Sequence, residues 1–225
     1  PKPTTSHSAC NFVSRLRLKN PNTPHNVPMQ FPRIVAAPMA GGPTTPALVN
    51  AVTFGFLALG TCTPVQARQW LAQCQAPFGA NLFVPQEEPL LDDVSVTAQL
   101  LHTDVPTVDV TSGFQEKFSL VLEAAPAVVS SMFGAFTHEQ VDQLRAVGSQ
   151  AWVTVTSVSE AHQALHADGL IVQGPLAGGH RGTWDQRTEP GDASLGELLT
   201  QIVPLGLPVI AAGGVRGPED VDKLH

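Results

Sequence analysis

From Arg33 onward the chain alternates short apolar runs, each closed by Gly, Pro, Asn or Ser, with intervals long enough to hold a helix. That rhythm is produced by repeated βαβ units, and it predicts an α/β fold built on a parallel sheet. The apolar runs fall at 34–37, 56–59, 79–83, 127–131, 152–155, 170–173 and 209–212, which makes seven expected strands. Their near-continuous apolarity suits strands covered on both faces by helices. Helices are expected over 45–53, 64–73, 113–123, 137–147, 157–166 and 194–202, several of them opened by a Ser or Thr able to cap the first turn. Thr137 followed by Glu139 and Gln140, and Ser157 followed by Glu160, are the clearest such starts. The stretch 85–110 is the least legible, with a helix expected over 94–101 and a strand-like run over 105–110.

Composition narrows the function classes. A chain of 225 residues with 43% hydrophobic and 14% charged residues supports one sizeable core, so a single domain is expected. The 19 Gly and 20 Pro residues fit many turns between short elements rather than a helical bundle. A net charge of -7 without a basic run argues against nucleic acid or an anionic membrane surface as partner. No stretch approaches the ~20 consecutive apolar residues of a membrane helix. Cys10, Cys62 and Cys74 form no CxxC or Cys/His spacing. Neither a metal site nor a disulfide framework is expected, and a reducing, cytoplasmic setting follows. Residues 1–30, rich in Pro, Asn, Ser and Thr, read as a lead-in segment to a domain over 31–225, and a chain opening on Pro1 is expected to have lost its start.

Four loops following apolar runs carry the candidate chemistry. After the run ending at Gln173 comes Gly-Pro-Leu-Ala-Gly-Gly-His-Arg-Gly, in which Gly178 and Gly179 let the backbone approach a flat or anionic ligand. His180 stands where an α/β enzyme places working groups, past the C-terminal end of a strand, and an imidazole suits general-base catalysis. His180 and Arg181 read equally well as solvated loop residues. The second loop, after Val-Ile-Ala-Ala, holds Gly213 and Gly214, a pair able to turn backbone N–H groups toward a phosphate or simply to solve a steric problem. The third holds Pro38, Met39 and Ala40, where Met39 could pack under a planar cofactor or belong to the core. In the fourth, Asn81 is an amide inside an apolar run, and it must bond either backbone or a ligand.

Taken in order, Pro-Met-Ala-Gly-Gly, Pro-Phe-Gly-Ala-Asn-Leu-Phe, Val-Gln-Gly with Ala-Gly-Gly-His-Arg-Gly, and Pro-Val-Ile-Ala-Ala-Gly-Gly resemble the nitronate monooxygenases, formerly called 2-nitropropane dioxygenases. The segment from Val128 to Gly134, ending in Phe-Gly, is similar to that family's fourth-strand stretch. The resemblance implies a TIM-type (β/α)8 barrel with non-covalent FMN at its C-terminal face. It implies that Pro38, Met39 and Ala40 line the flavin and that Asn81 and Gln173 bond its polar edge or ribityl chain. Gly178, Gly179, Gly213 and Gly214 would approach the ribityl chain and phosphate, and His180 would be the catalytic base. Alkyl nitronates or nitroalkanes and O2 are the implied substrates, with a carbonyl compound and nitrite as products and homodimerisation left open. An FMN-dependent enoyl-ACP reductase using NAD(P)H, and a non-catalytic barrel relic, are the alternatives. Such a barrel runs to ~250 residues and eight strands. This chain is therefore expected to be a fragment, truncated after the seventh strand.

Overall fold

A computed structural model describes residues 15–16, 31–87, 91–105, 109 and 111–224. Apart from Arg15–Leu16, the lead-in lies outside the described residues, as does most of the strand-like run over 105–110. The elements in chain order are β1 (Arg15–Leu16), α1 (Pro46–Ala51), β2 (Phe56–Ala58), α2 (Pro64–Leu71), β3 (Gly79–Phe83), α3 (Leu91–Leu100) and α4 (Phe114–Ala124). They continue with β4 (Val128–Met132), α5 (His138–Ala146), β5 (Gln150–Val155), α6 (Val158–Gln163), β6 (Gly169–Gln173), α7 (Leu195–Ile202), β7 (Val209–Ala212) and α8 (Pro218–Lys223).

Strands β2 to β7 are parallel and lie side by side in chain order, and β1 pairs antiparallel with β7 at one edge. Six of the seven expected strands therefore form. The first, over 34–37, is reduced to a single parallel bridge between Ala36 and Gly55. Its ladder is short because Pro38 has no N–H to extend it and Pro32 precedes it. Consecutive parallel order leaves one connection geometry, a helix crossing over one face after each strand.

The two faces of the sheet carry different residues. Leu57, Ala80, Leu82, Val129 and Ala151 point outward into a core shared with α2, α4 and α5. Val153, Val155, Leu170, Val172 and Val209 do the same beneath α6 and α7. The alternate residues Phe56, Val128, Trp152, Ile171 and Ile210 face inward and pack with Val35 and Phe54. Phe31 closes this inner layer at the N-terminal end of the strands, edge-on to Phe54 (5.2 Å) and Trp152 (5.0 Å). The bottom of the sheet is thus plugged by aromatic rings, and the inner face opens toward the C-terminal strand ends. Gly169 is required within this layer, since a Cβ there would stand 2.6 Å from the Trp152 ring.

The helix starts follow the sequence closely. Thr45, Thr63, Thr137, Ser157 and Ser194 each accept a backbone N–H of the first turn, and Thr63, Thr137 and Ser194 form reciprocal boxes with Gln66, Gln140 and Glu197. Ser157 accepts from Glu160, but the Glu160 carboxylate does not return to it. It bonds the Thr156 N–H and hydroxyl and the Trp184 N–H instead, a tertiary use that overrides the local box.

Candidate active site

Inward residues, most of them toward the C-terminal ends of the strands, line an apolar cavity that opens to solvent. Phe56, Asn81, Phe83, Met132, Thr154, Ile171, Gln173, Ile210 and Ala212 supply the strand walls, and Val35, Gly213 and the loops at 37–40 and 177–180 supply the rest. The mainly apolar wall with a few polar groups is the usual chemistry of small-molecule sites.

Nine of the ten residues singled out in the sequence line this one space: Pro38, Met39, Ala40, Asn81, Gln173, Gly178, Gly179, His180 and Gly213. Gly214 stands behind the wall, where a Cβ would meet Leu176 at 2.8 Å. Arg181 also lies off the cavity, its guanidinium donating to the Gly191 carbonyl (3.0 Å) while its Nε is buried without a partner among the described residues.

Local bonds fix each wall. Buried Thr44 accepts the Met39 N–H (2.8 Å) and donates to the Ala37 carbonyl (3.2 Å), folding the 37–44 turn so that Met39 faces Gly179 across the cavity. The Asn81 amide donates to the Ser130 hydroxyl (2.9 Å) and carbonyl (3.3 Å). Because that carbonyl only accepts, the amide nitrogen must face it, and Oδ1 accepts no hydrogen bond among the described residues. Gln173, 6% exposed, spans the base of the histidine loop: Nε2 donates to the His180 carbonyl (3.1 Å) and Oε1 accepts the Gly182 N–H (2.7 Å). Gly213 has φ +96, and a Cβ there would stand 2.8 Å from the Gly174 carbonyl, so the two glycine-bearing loops touch backbone to backbone at this point.

The His180 side chain is exposed, and its ring makes no hydrogen bond among the described residues. What it touches is aromatic: Phe83 at 5.3 Å and Phe133 at 6.1 Å, both edge to face. The two phenyl rings also meet each other, centroids 4.8 Å apart. Phe133 has φ +68, a left-handed conformation that costs a bulky residue about 1–2 kcal/mol. Ser131 donates to the Gly134 carbonyl (2.7 Å) and Gln86 to the Phe133 carbonyl (2.8 Å), which hold that turn. Sequence reasoning did not single out this aromatic pair. Phe83 was within reach, since strand alternation puts it on the same face as Asn81, whereas nothing in the sequence signals the backbone of Phe133.

Behind β2, Lys117 is 1% exposed and donates to the Leu59, Gly60 and Cys62 carbonyls at 2.7, 2.9 and 3.2 Å. Burial pulls its ammonium below the ordinary lysine range and pushes the Cys62 thiol up. Gly60, so anchored, lies directly under the Phe83 ring, at 2.4 Å from where a Cβ would stand. Among the described residues no cluster of three or more His, Cys, Asp or Glu could hold a metal, and no helix is long and apolar enough to cross a membrane.

Comparison with known proteins gives a consistent picture. The family model described as nitronate monooxygenase matches residues 26–224. A nitronate monooxygenase of Pseudomonas aeruginosa is 34% identical over 208 residues, covering 81% of this chain and 58% of that protein. A probable nitronate monooxygenase of Bacillus subtilis is 32% identical over 201 residues, with the same coverage. Among solved structures, a nitroalkane oxidase from Streptomyces ansochromogenes superposes with a TM-score of 0.69 at 33% identity, over 79% of this chain and 57% of that one. FabK from Thermotoga maritima, at 23% identity and TM-score 0.58, over 84% of this chain and 54% of that one, shares the fold. The chain spans a little over half the length of the relatives it matches.

Proposed function

The chain belongs to the nitronate monooxygenase family, and on that premise we propose that it oxidises alkyl nitronates or nitroalkanes with O2 to a carbonyl compound and nitrite, using bound FMN. The six consecutive parallel strands are then most of the wall of a (β/α)8 barrel, one FMN-binding domain over 31–225 preceded by the 1–30 lead-in. The observation that carries the reading is His180, its imidazole without a hydrogen-bond partner, at the wall of an apolar cavity at the C-terminal strand ends.

The cavity fits a flavin by its own features. Its mainly apolar lining suits a flat ring, and the unengaged Oδ1 of Asn81 suits a ring N–H. Backbone at Gly178, Gly179 and Gly213 can come close to a ribityl chain and phosphate without side-chain interference. When bound, FMN supplies the electron-accepting chemistry that no side chain here provides.

The residues of the chain do the rest. His180 takes the α-proton of a nitroalkane, or holds a nitronate already formed, on the open side of the cavity. Phe83, Met132 and Met39 give an alkyl group an apolar seat and keep water from the reacting carbon. Gln173 holds the histidine loop through His180 and Gly182, which keeps the base at one distance from the cavity floor. The substrates are small molecules. In the FMN-loaded chain, His180→Ala should abolish nitrite release from a neutral nitroalkane while FMN stays bound. Undiminished nitrite release would remove His180 from the assigned role.

A further inference from the structure

We infer that Phe133 is a positioning residue for His180, its left-handed backbone serving to set the phenyl ring against the imidazole. The inference deepens the proposed reaction and rests on His180 being its base. Bases of this kind are usually oriented by a hydrogen-bonded third group, but no such group reaches the His180 ring among the described residues. Its orientation is set by two ring edges, Phe83 at 5.3 Å and Phe133 at 6.1 Å. Phe83 is carried by a regular strand, whereas Phe133 reaches the same place only because its φ is +68. In the extended conformation that continuation of β4 would impose, its side chain would alternate to the face opposite Met132 and leave the His180 ring. The turn is secured from outside as well. Gln86, from the segment after β3, donates to the Phe133 carbonyl at 2.8 Å, and Ser131 donates to Gly134 at 2.7 Å. An unfavourable backbone conformation, two bonds that maintain it, and a ring placed by it against the candidate base form one device.

The test uses the full chain labelled with 13C and 15N at histidine, studied by NMR without and with FMN, the His180 signal being identified by its loss in His180→Ala. In the unsubstituted chain the His180 ring signal should be displaced by the two phenyl ring currents from that of a solvated histidine. Phe133→Gly accepts the left-handed backbone without strain, which offsets the packing lost against Phe83, so the turn should still form. His180, released, should lose more of the displacement than the Phe133 ring alone supplies, while Phe133→Tyr should keep it. Turnover of a neutral nitroalkane should fall about 100-fold in Phe133→Gly, as expected for a misplaced base, with turnover of preformed nitronate changed less than about twofold. An undisplaced His180 signal in the unsubstituted chain, or full displacement in Phe133→Gly, would overturn the inference. If the displacement behaves as stated but neither substrate is turned over by the unsubstituted chain, the positioning stands and the proposed reaction fails.

Discussion

Gln173→Leu is the perturbation that most directly probes how the site is built. The Gln173 amide makes two bonds to one loop, 3.1 Å to the His180 carbonyl and 2.7 Å from the Gly182 N–H. Leucine matches the volume and restores neither. Gly182 is buried, so its N–H is left without a partner at a cost of about 1–3 kcal/mol, and the partly exposed His180 carbonyl turns to water for about 0.5–1.5 kcal/mol more. The sum, about 1.5–4.5 kcal/mol, lowers the melting temperature of a chain this size by roughly 3–18 °C if the loop and the sheet unfold together. If the loop opens on its own, the same free energy appears as faster hydrogen exchange at the Gly182 amide. Gln173→Glu sharpens the assignment, because a carboxylate still accepts from Gly182 but presents only acceptors to the His180 carbonyl. It should therefore protect the Gly182 amide better than leucine does. A Gln173→Leu chain with unchanged melting temperature and unchanged Gly182 exchange would refute the claim that this amide holds the histidine loop.

Two further substitutions test the walls. Gly213→Ala places a Cβ 2.8 Å from the Gly174 carbonyl at φ +96, so it should cost on the order of 2 kcal/mol and weaken FMN binding, read from the thermal melt and a flavin-fluorescence titration. Lys117→Met deprives three buried carbonyls of their donor and should destabilise the chain by about 1–3 kcal/mol. Burial depresses the Lys117 pKa, so in the native state the ammonium loses its proton at a lower pH than in the unfolded chain. The cost of burying the charge is therefore fully present below the native pKa and is relieved as the pH rises toward the ordinary lysine value. Over that alkaline window the unsubstituted chain should lose less stability than other titrations impose, and Lys117→Met should lack this compensation in a pH series of melts.

The sheet was legible because burial on both faces leaves an unmistakable mark: 79–83, 170–173 and 209–212 are apolar runs stopped by turn residues. The helix starts at Thr137 and Ser194 were legible because capping is local chemistry. The segment over 34–37 has the same apolarity, but the proline that follows it ends the ladder, so apolarity alone overstated it. Glu160 sits three residues after a Ser and reads as a box partner, yet its carboxylate is taken by Thr156 and Trp184 from another part of the fold. In the site, glycines and the lone amide Asn81 marked the loops well. Of the Gly213–Gly214 pair only Gly213 lines the cavity, which a pair of glycines in sequence does not specify, and Gly214 packs against Leu176. Phe133 was not legible because one of the two bonds that hold its left-handed turn comes from Gln86, far away in sequence.

The proposed reaction requires that a flavin held in this cavity be reduced by nitronate rather than by a nicotinamide. The FMN-loaded chain, held anaerobically, should lose its visible flavin absorbance on mixing with an alkyl nitronate and keep it on mixing with NADH. Rapid bleaching by NADH, with the nitronate leaving the absorbance untouched, would contradict the account.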